Sequence, residues 1–181
     1  MVRLRKMRVV LITLALAASV VAQTAKTPNS NEETGYCGDE QFAKPARIPT
    51  VVLQKVLRSP EFKLNAAFAN EEERARPERM FQAAEVHLGG PDEIDLIVKG
   101  TSAATMGADN DWFWIVRSAY KNPKIVLWEG TYCLYVSSKR TNGLRDISST
   151  WSSASETRNV TFHFDGMKYK PGKVKWTENR R

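Results

Sequence analysis

From residue 83 to residue 169 the chain is a series of short apolar or alternating runs separated by tight turns, with no helical period between them. This spacing constrains the fold more than any other feature. Parallel neighbours need a crossover of a dozen residues or more, so runs this close together predict antiparallel pairing. The sharpest turn signal is Asp165-Gly166, between Val160-Thr161-Phe162-His163-Phe164 and Met167-Lys168-Tyr169. A two-residue Asp-Gly link favours a hairpin because both turn residues take positive φ. Val160, Phe162 and Phe164 fall on one face of that strand, Thr161 and His163 on the other. Further turns are read at 89–93, at Asn122-Pro123, at Glu129-Gly130 and at Asn142-Gly143. Residues 101–111 read as a loop, as do the serines around Trp151 (Ser148, Ser149, Ser152, Ser153 and Ser155).

Ahead of the strands, Pro49 suits a helix start. Val51, Val52, Leu53, Val56 and Leu57 give that helix an apolar face, and Pro60 stops it near Arg58. Leu64, Ala67, Phe68 and residues 71–76 suggest a second short helix ending before Pro77, with Glu71-Glu72-Glu73-Arg74 as its solvated face. The expected class is therefore α+β, with short N-terminal helices followed by an antiparallel β-meander of about seven strands.

Residues 1–8 carry Arg3, Arg5, Lys6 and Arg8 and no acid, and an apolar run follows over 9–21. Val20 and Ala22 are small residues at −3 and −1 of a cut after Ala22. These are the three parts of a secretory signal peptide. The apolar run is shorter than the ~20 residues needed to cross a bilayer, so no membrane span is expected after cleavage. The chain divides into a signal at 1–22, a polar flexible spacer at 23–36, one domain at 37–172 and a basic C-terminal tail at 173–181. The expected compartment is secreted or periplasmic.

Removal of the signal leaves 159 residues with 23 basic and 20 acidic side chains, a formal +3 where the whole chain has +7. That weakens any nucleic-acid reading of the basic pI. The remaining basic cluster is Lys168, Lys170, Lys173, Lys175, Arg180 and Arg181. It reads as a solvated tail or as a contact for an anionic surface, such as phospholipid headgroups or a wall polymer. Two cysteines remain, Cys37 and Cys133. An exported chain with an even count and no CxxC favours one structural disulfide over two thiols.

No GxSxG elbow, phosphate-binding glycine loop, HExxH or CxxC is present. The two histidines, His87 and His163, sit in alternating strands and read as surface or satisfied residues rather than as ligands or bases. Asp95 and Asp146 follow glycine turns and read as turn caps. Their surroundings resemble the strand-turn-strand unit of integrin-type propeller blades, but lack the alternating acids that calcium requires. No metal and no cofactor is expected, and the enzyme reading is the minor one. The aromatics are more suggestive. Trp112 and Trp151, with Asp109, Asp111 and Asn110 as a polar rim, form a candidate ligand-binding set for sugar rings or a protein partner.

The layout also resembles small exported bacterial proteins of unknown function. An apolar helix near the start, Ala108–Trp114, Thr-Asn-Gly-Leu-Arg-Asp-Ile at 141–147 and Phe-Asp-Gly-Met-Lys-Tyr at 164–169 carry the likeness, over residues 48–169. It implies no activity. The reading is an exported, non-catalytic binding domain for a protein or an envelope glycan. A secreted hydrolase with an unrecognised site and a structural envelope protein are the alternatives.

Overall fold

The structure is a computed structural model that describes residues 34–107 and 110–179. In chain order its elements are β1 (Thr34–Cys37), α1 (Thr50–Leu57), α2 (Pro60–Asn65), α3 (Glu71–Ala75), β2 (Phe81–Val86), β3 (Asp95–Gly100), β4 (Met106–Gly107), β5 (Asn110–Arg117), β6 (Lys124–Thr131), β7 (Cys133–Thr141), β8 (Leu144–Ser152), β9 (Glu156–Phe164) and β10 (Tyr169–Glu178). The strands form two antiparallel sheets. Sheet I has the order β1-β7-β8-β9-β10, and sheet II has β2-β3-β5-β6 with the short β4 also on β5.

The expected α+β class with one seven-stranded meander is corrected by this architecture. The protein is mostly β, its strands are split between two sheets, and its helices are few and short. The chain leaves sheet II after β6 and starts sheet I at β7, across the single residue Tyr132. The switch has a packing cause. Each sheet has an apolar face that one continuous meander would leave in water, and two sheets face to face bury both. The core between them joins Ala84, Val86, Ile97, Phe113, Ile115 and Leu127 of sheet II to Leu134, Val136, Ile147, Val160, Phe162 and Phe164 of sheet I.

Sheet II is covered on its other face as well. Val52, Leu53, Val56 and Phe62 from α1 and α2 pack with Phe81, Leu96, Val98, Trp114 and Val116. Strand β3 is consequently buried along its whole length. Local chemistry sets the helix starts. The Ser59 hydroxyl accepts from the Phe62 amide at the head of α2, where Pro60 needs no partner. Asn70 and Glu73 form a reciprocal capping box on α3.

The turns differ in detail from their expectation. Asn142 and Gly143 both take positive φ, 49° and 83°, in the two-residue link between β7 and β8. At the other hairpin only Gly166 does so, at 104°. Residues 165–168 form a four-residue loop in which Asp165 Oδ1 accepts from the Met167 and Lys168 amides. Residues 148–152 belong to β8 and residues 110–111 to β5, where loops were expected. Strand β1 starts at Thr34, within the expected spacer, and β10 carries Lys173 and Lys175 in regular structure. Residues 1–33, including the expected signal, lie outside the described residues, as do Arg180 and Arg181. Among the described residues no helix is long and apolar enough to cross a membrane.

Candidate functional site

Strands β1 and β7 are antiparallel with Cys37 directly opposite Cys133, and the two are joined by a disulfide. The bond ties β1 to an inner strand of sheet I. Beside it, Lys99 on β3 is almost fully buried, and its ammonium donates to the carbonyls of Cys37, Gly38 and Glu40 at 3.1, 2.7 and 2.5 Å. Burial lowers the Lys99 pKa, and the charges of Asp111, Asp39 and Glu40 offset part of that shift. Asp111 is buried too, and its carboxyl is pushed up by the same desolvation against the pull of Lys99. Asp111 therefore serves the interior.

Trp112 points the other way, because neighbours on a strand face opposite sides. It packs edge-on against Trp114 and Trp128, at centroid distances of 6.0 and 5.5 Å, on the helix-covered face of sheet II. The structure thus separates Trp112 from Asp111, and Asp109 lies outside the described residues. Trp151 is on the other sheet, so Trp112 and Trp151 do not share a surface.

Trp151 has a different set of neighbours. In β9, Val160, Phe162 and Phe164 face sheet II, so Arg158 and Glu156 point to the same side. Arg158 stands between two tryptophans, with Trp151 of β8 and Trp176 of β10 as its register partners. The indoles meet over it at 6.3 Å with their planes 72° apart. Beneath them the Arg158 guanidinium reaches across to Glu129 of β6 at 2.5 Å, and Ser149 donates to the same carboxylate oxygen at 3.1 Å. Burial pushes the Glu129 carboxyl up, while Arg158 and Ser149 oppose the shift. One row further out, Glu156 and Glu178 are cross-strand partners, and among the described residues neither is in an ion pair.

This row marks a place where sheet I overhangs sheet II. Trp176 keeps 55% of its surface and Val174 44%, although their side chains lie on the core-facing side. The result is a half-open shelf with two indole walls, a neutralised guanidinium floor and a polar rim of Glu156 and Glu178. Sequence reasoning singled out Trp151 but missed Trp176, Arg158, Glu156 and Glu178. The apolar alternation of β9 was a usable signal for Arg158.

The two histidines have different partners. His163 Nδ1 lies 3.1 Å from Asp146 Oδ2 and 3.3 Å from Thr141 Oγ1, so the acid and the hydroxyl meet one nitrogen rather than opposite ends of the ring. A triad needs the base oriented at one nitrogen and working through the other. The second nitrogen, Nε2, faces the Gly172 backbone. His87 Nδ1 lies 2.8 Å from the Glu93 carbonyl oxygen, on the surface. Asp95 caps as expected, its carboxylate accepting from the Leu88 and Ser118 amides. Asp146 instead pairs with His163.

The fold and the shelf define a disulfide-tied, two-sheet β domain with a partly exposed tryptophan pair. No protein-family model, curated protein or solved structure matches this chain.

Proposed function

We propose that the protein is an exported, non-catalytic binding domain whose ligand is an envelope glycan, held on the Trp151–Trp176 shelf. The observation that carries this reading is a pair of indoles left half-open on a core-facing strand row, beside two carboxylates that form no ion pair among the described residues. Aromatic faces take the apolar C–H face of a sugar ring, and a few convergent polar groups then fix its hydroxyls. Glu156 and Glu178 supply acceptors at the rim. Export rests on the basic, apolar and small-residue segments of residues 1–22, and the disulfide suits an oxidising compartment.

The test is co-sedimentation of residues 23–181 with insoluble envelope polysaccharide, together with tryptophan fluorescence titration by its soluble fragments. Binding with a blue-shifted emission is expected, and it should fall at least tenfold in Trp151→Ala and in Trp176→Ala. Absence of binding, or binding that survives both substitutions, overturns the glycan reading. Capture of one protein partner by the same face would transfer the shelf to protein recognition.

A further inference from the structure

Strand β10 is the free edge of sheet I, and every residue from Lys170 to Glu178 is exposed. Four lysines, Lys168, Lys170, Lys173 and Lys175, follow one another along it and its hairpin loop, with no acid between Gly166 and Thr177. Among the described residues none of the four is in an ion pair. The neighbouring strand adds no acid on the side that Lys170 and Lys175 occupy, since their register partners are His163 and Asn159. Asp165, whose carboxylate accepts from the Met167 and Lys168 amides, also lies within charge range of Lys168 and Lys170 and offsets part of their charge. At the loop tip Met167 keeps 84% of its surface. At ~3.3 Å per residue the stripe is roughly 25 Å long.

Lysines on an edge strand guard against pairing with another sheet, but that task does not need an exposed apolar tip. A run of four exposed lysines, none in an ion pair among the described residues, beside a protruding methionine is complementary to a flat anionic surface with an apolar layer beneath it. We propose that the β9–β10 hairpin edge docks on the surface of an anionic lipid bilayer, with the lysines at the headgroups and Met167 entering the interface. This goes beyond the glycan shelf, because Lys170 and Lys175 point to the opposite face of β10 from Val174 and Trp176.

A basic residue near an anionic bilayer raises partitioning about fivefold, so four together supply a factor of several hundred. The experiment is vesicle co-sedimentation of residues 23–181 at low salt. Vesicles contain either phosphatidylcholine alone or phosphatidylcholine with one third phosphatidylglycerol. Binding to the anionic vesicles only, lost at high salt, is expected. The K168Q/K170Q/K173Q/K175Q variant should bind more than a hundredfold more weakly while keeping its thermal midpoint and glycan binding. A control variant with the same charge change elsewhere, K55Q/K63Q/K121Q/K124Q, should bind far more tightly than the stripe variant. Equal binding to both vesicle types, or equal loss in the two quadruple variants, overturns the proposal. So does binding to soluble polyphosphate without binding to vesicles, which would make the stripe a polyanion site.

Discussion

The Lys99 ammonium donates to the Cys37 carbonyl at 3.1 Å, so the residue that the disulfide holds through its side chain is held by a lysine through its backbone. Strand β1 has only four residues. Its position rests on these two attachments together with the edge pairing on β7.

Lys99→Met should destabilise the protein by about 3–5 kcal/mol. It leaves Asp111 as a buried charge without its counterion and three carbonyls without their donor. Urea unfolding with the disulfide intact measures this. A loss below about 1 kcal/mol would mean that water replaces the ammonium.

Replacing both cysteines with serine should cost up to about 4–5 kcal/mol on the chain-entropy account, since the bond closes a loop with a sequence separation of 96. Urea midpoints of oxidised and reduced protein give the comparison. If reduction leaves the midpoint unchanged, β1 is held by Lys99 and strand pairing alone.

Two tryptophan truncations should separate core from surface. Trp114 is fully buried, packs against Phe81 and donates to Ser59 Oγ at 3.3 Å. Trp114→Ala should cost about 3–5 kcal/mol. Trp176 is over half exposed, and Trp176→Ala should cost under about 1 kcal/mol. Calorimetric melting of the two variants tests the contrast, and equal losses would contradict it.

Glu129 gives a pH dependence of known sign. Its carboxyl is pushed up on folding by burial, so the native state holds this proton more tightly than the unfolded chain. The associated stability is fully present below the ordinary glutamate range and is lost as pH rises through the raised native value. Glu129→Gln removes that contribution, so its midpoint should fall less steeply with pH than the parent's. Urea midpoints measured across the acidic to neutral range decide it; parallel slopes would refute the assignment.

Antiparallel pairing and the faces of individual strands were legible because they depend on local terms: turn chemistry, loop length and a side-chain period of two. Val160, Phe162 and Phe164 read correctly as one apolar face. The cysteine pair was legible by its even count and the expected compartment, and the structure places it as a cross-strand bond. The division of the strands between two sheets was not legible, since every strand pattern suits either a continuous meander or a paired-sheet core. Trp112 and Asp111 illustrate the cost. Their adjacency in sequence suggested one patch, and burial of opposite strand faces sent one toward the helices and the other into the core.

The shelf depends on a still finer feature. Continuing the Phe164–Tyr169 register unbroken along the hairpin would set Lys175 opposite Arg158. An irregularity between Pro171 and Val174 shifts the register by one residue and brings Trp176 there instead. A one-residue slip exchanges the two faces of a strand, so without it the core-facing row would pair a lysine with an arginine. The sequence by itself determined where most strands lie and that they pair antiparallel. Pro171-Gly172 permits the bulge, but tertiary structure decided which face of β10 meets Trp151, because the core shared by the two strands selects the shifted register.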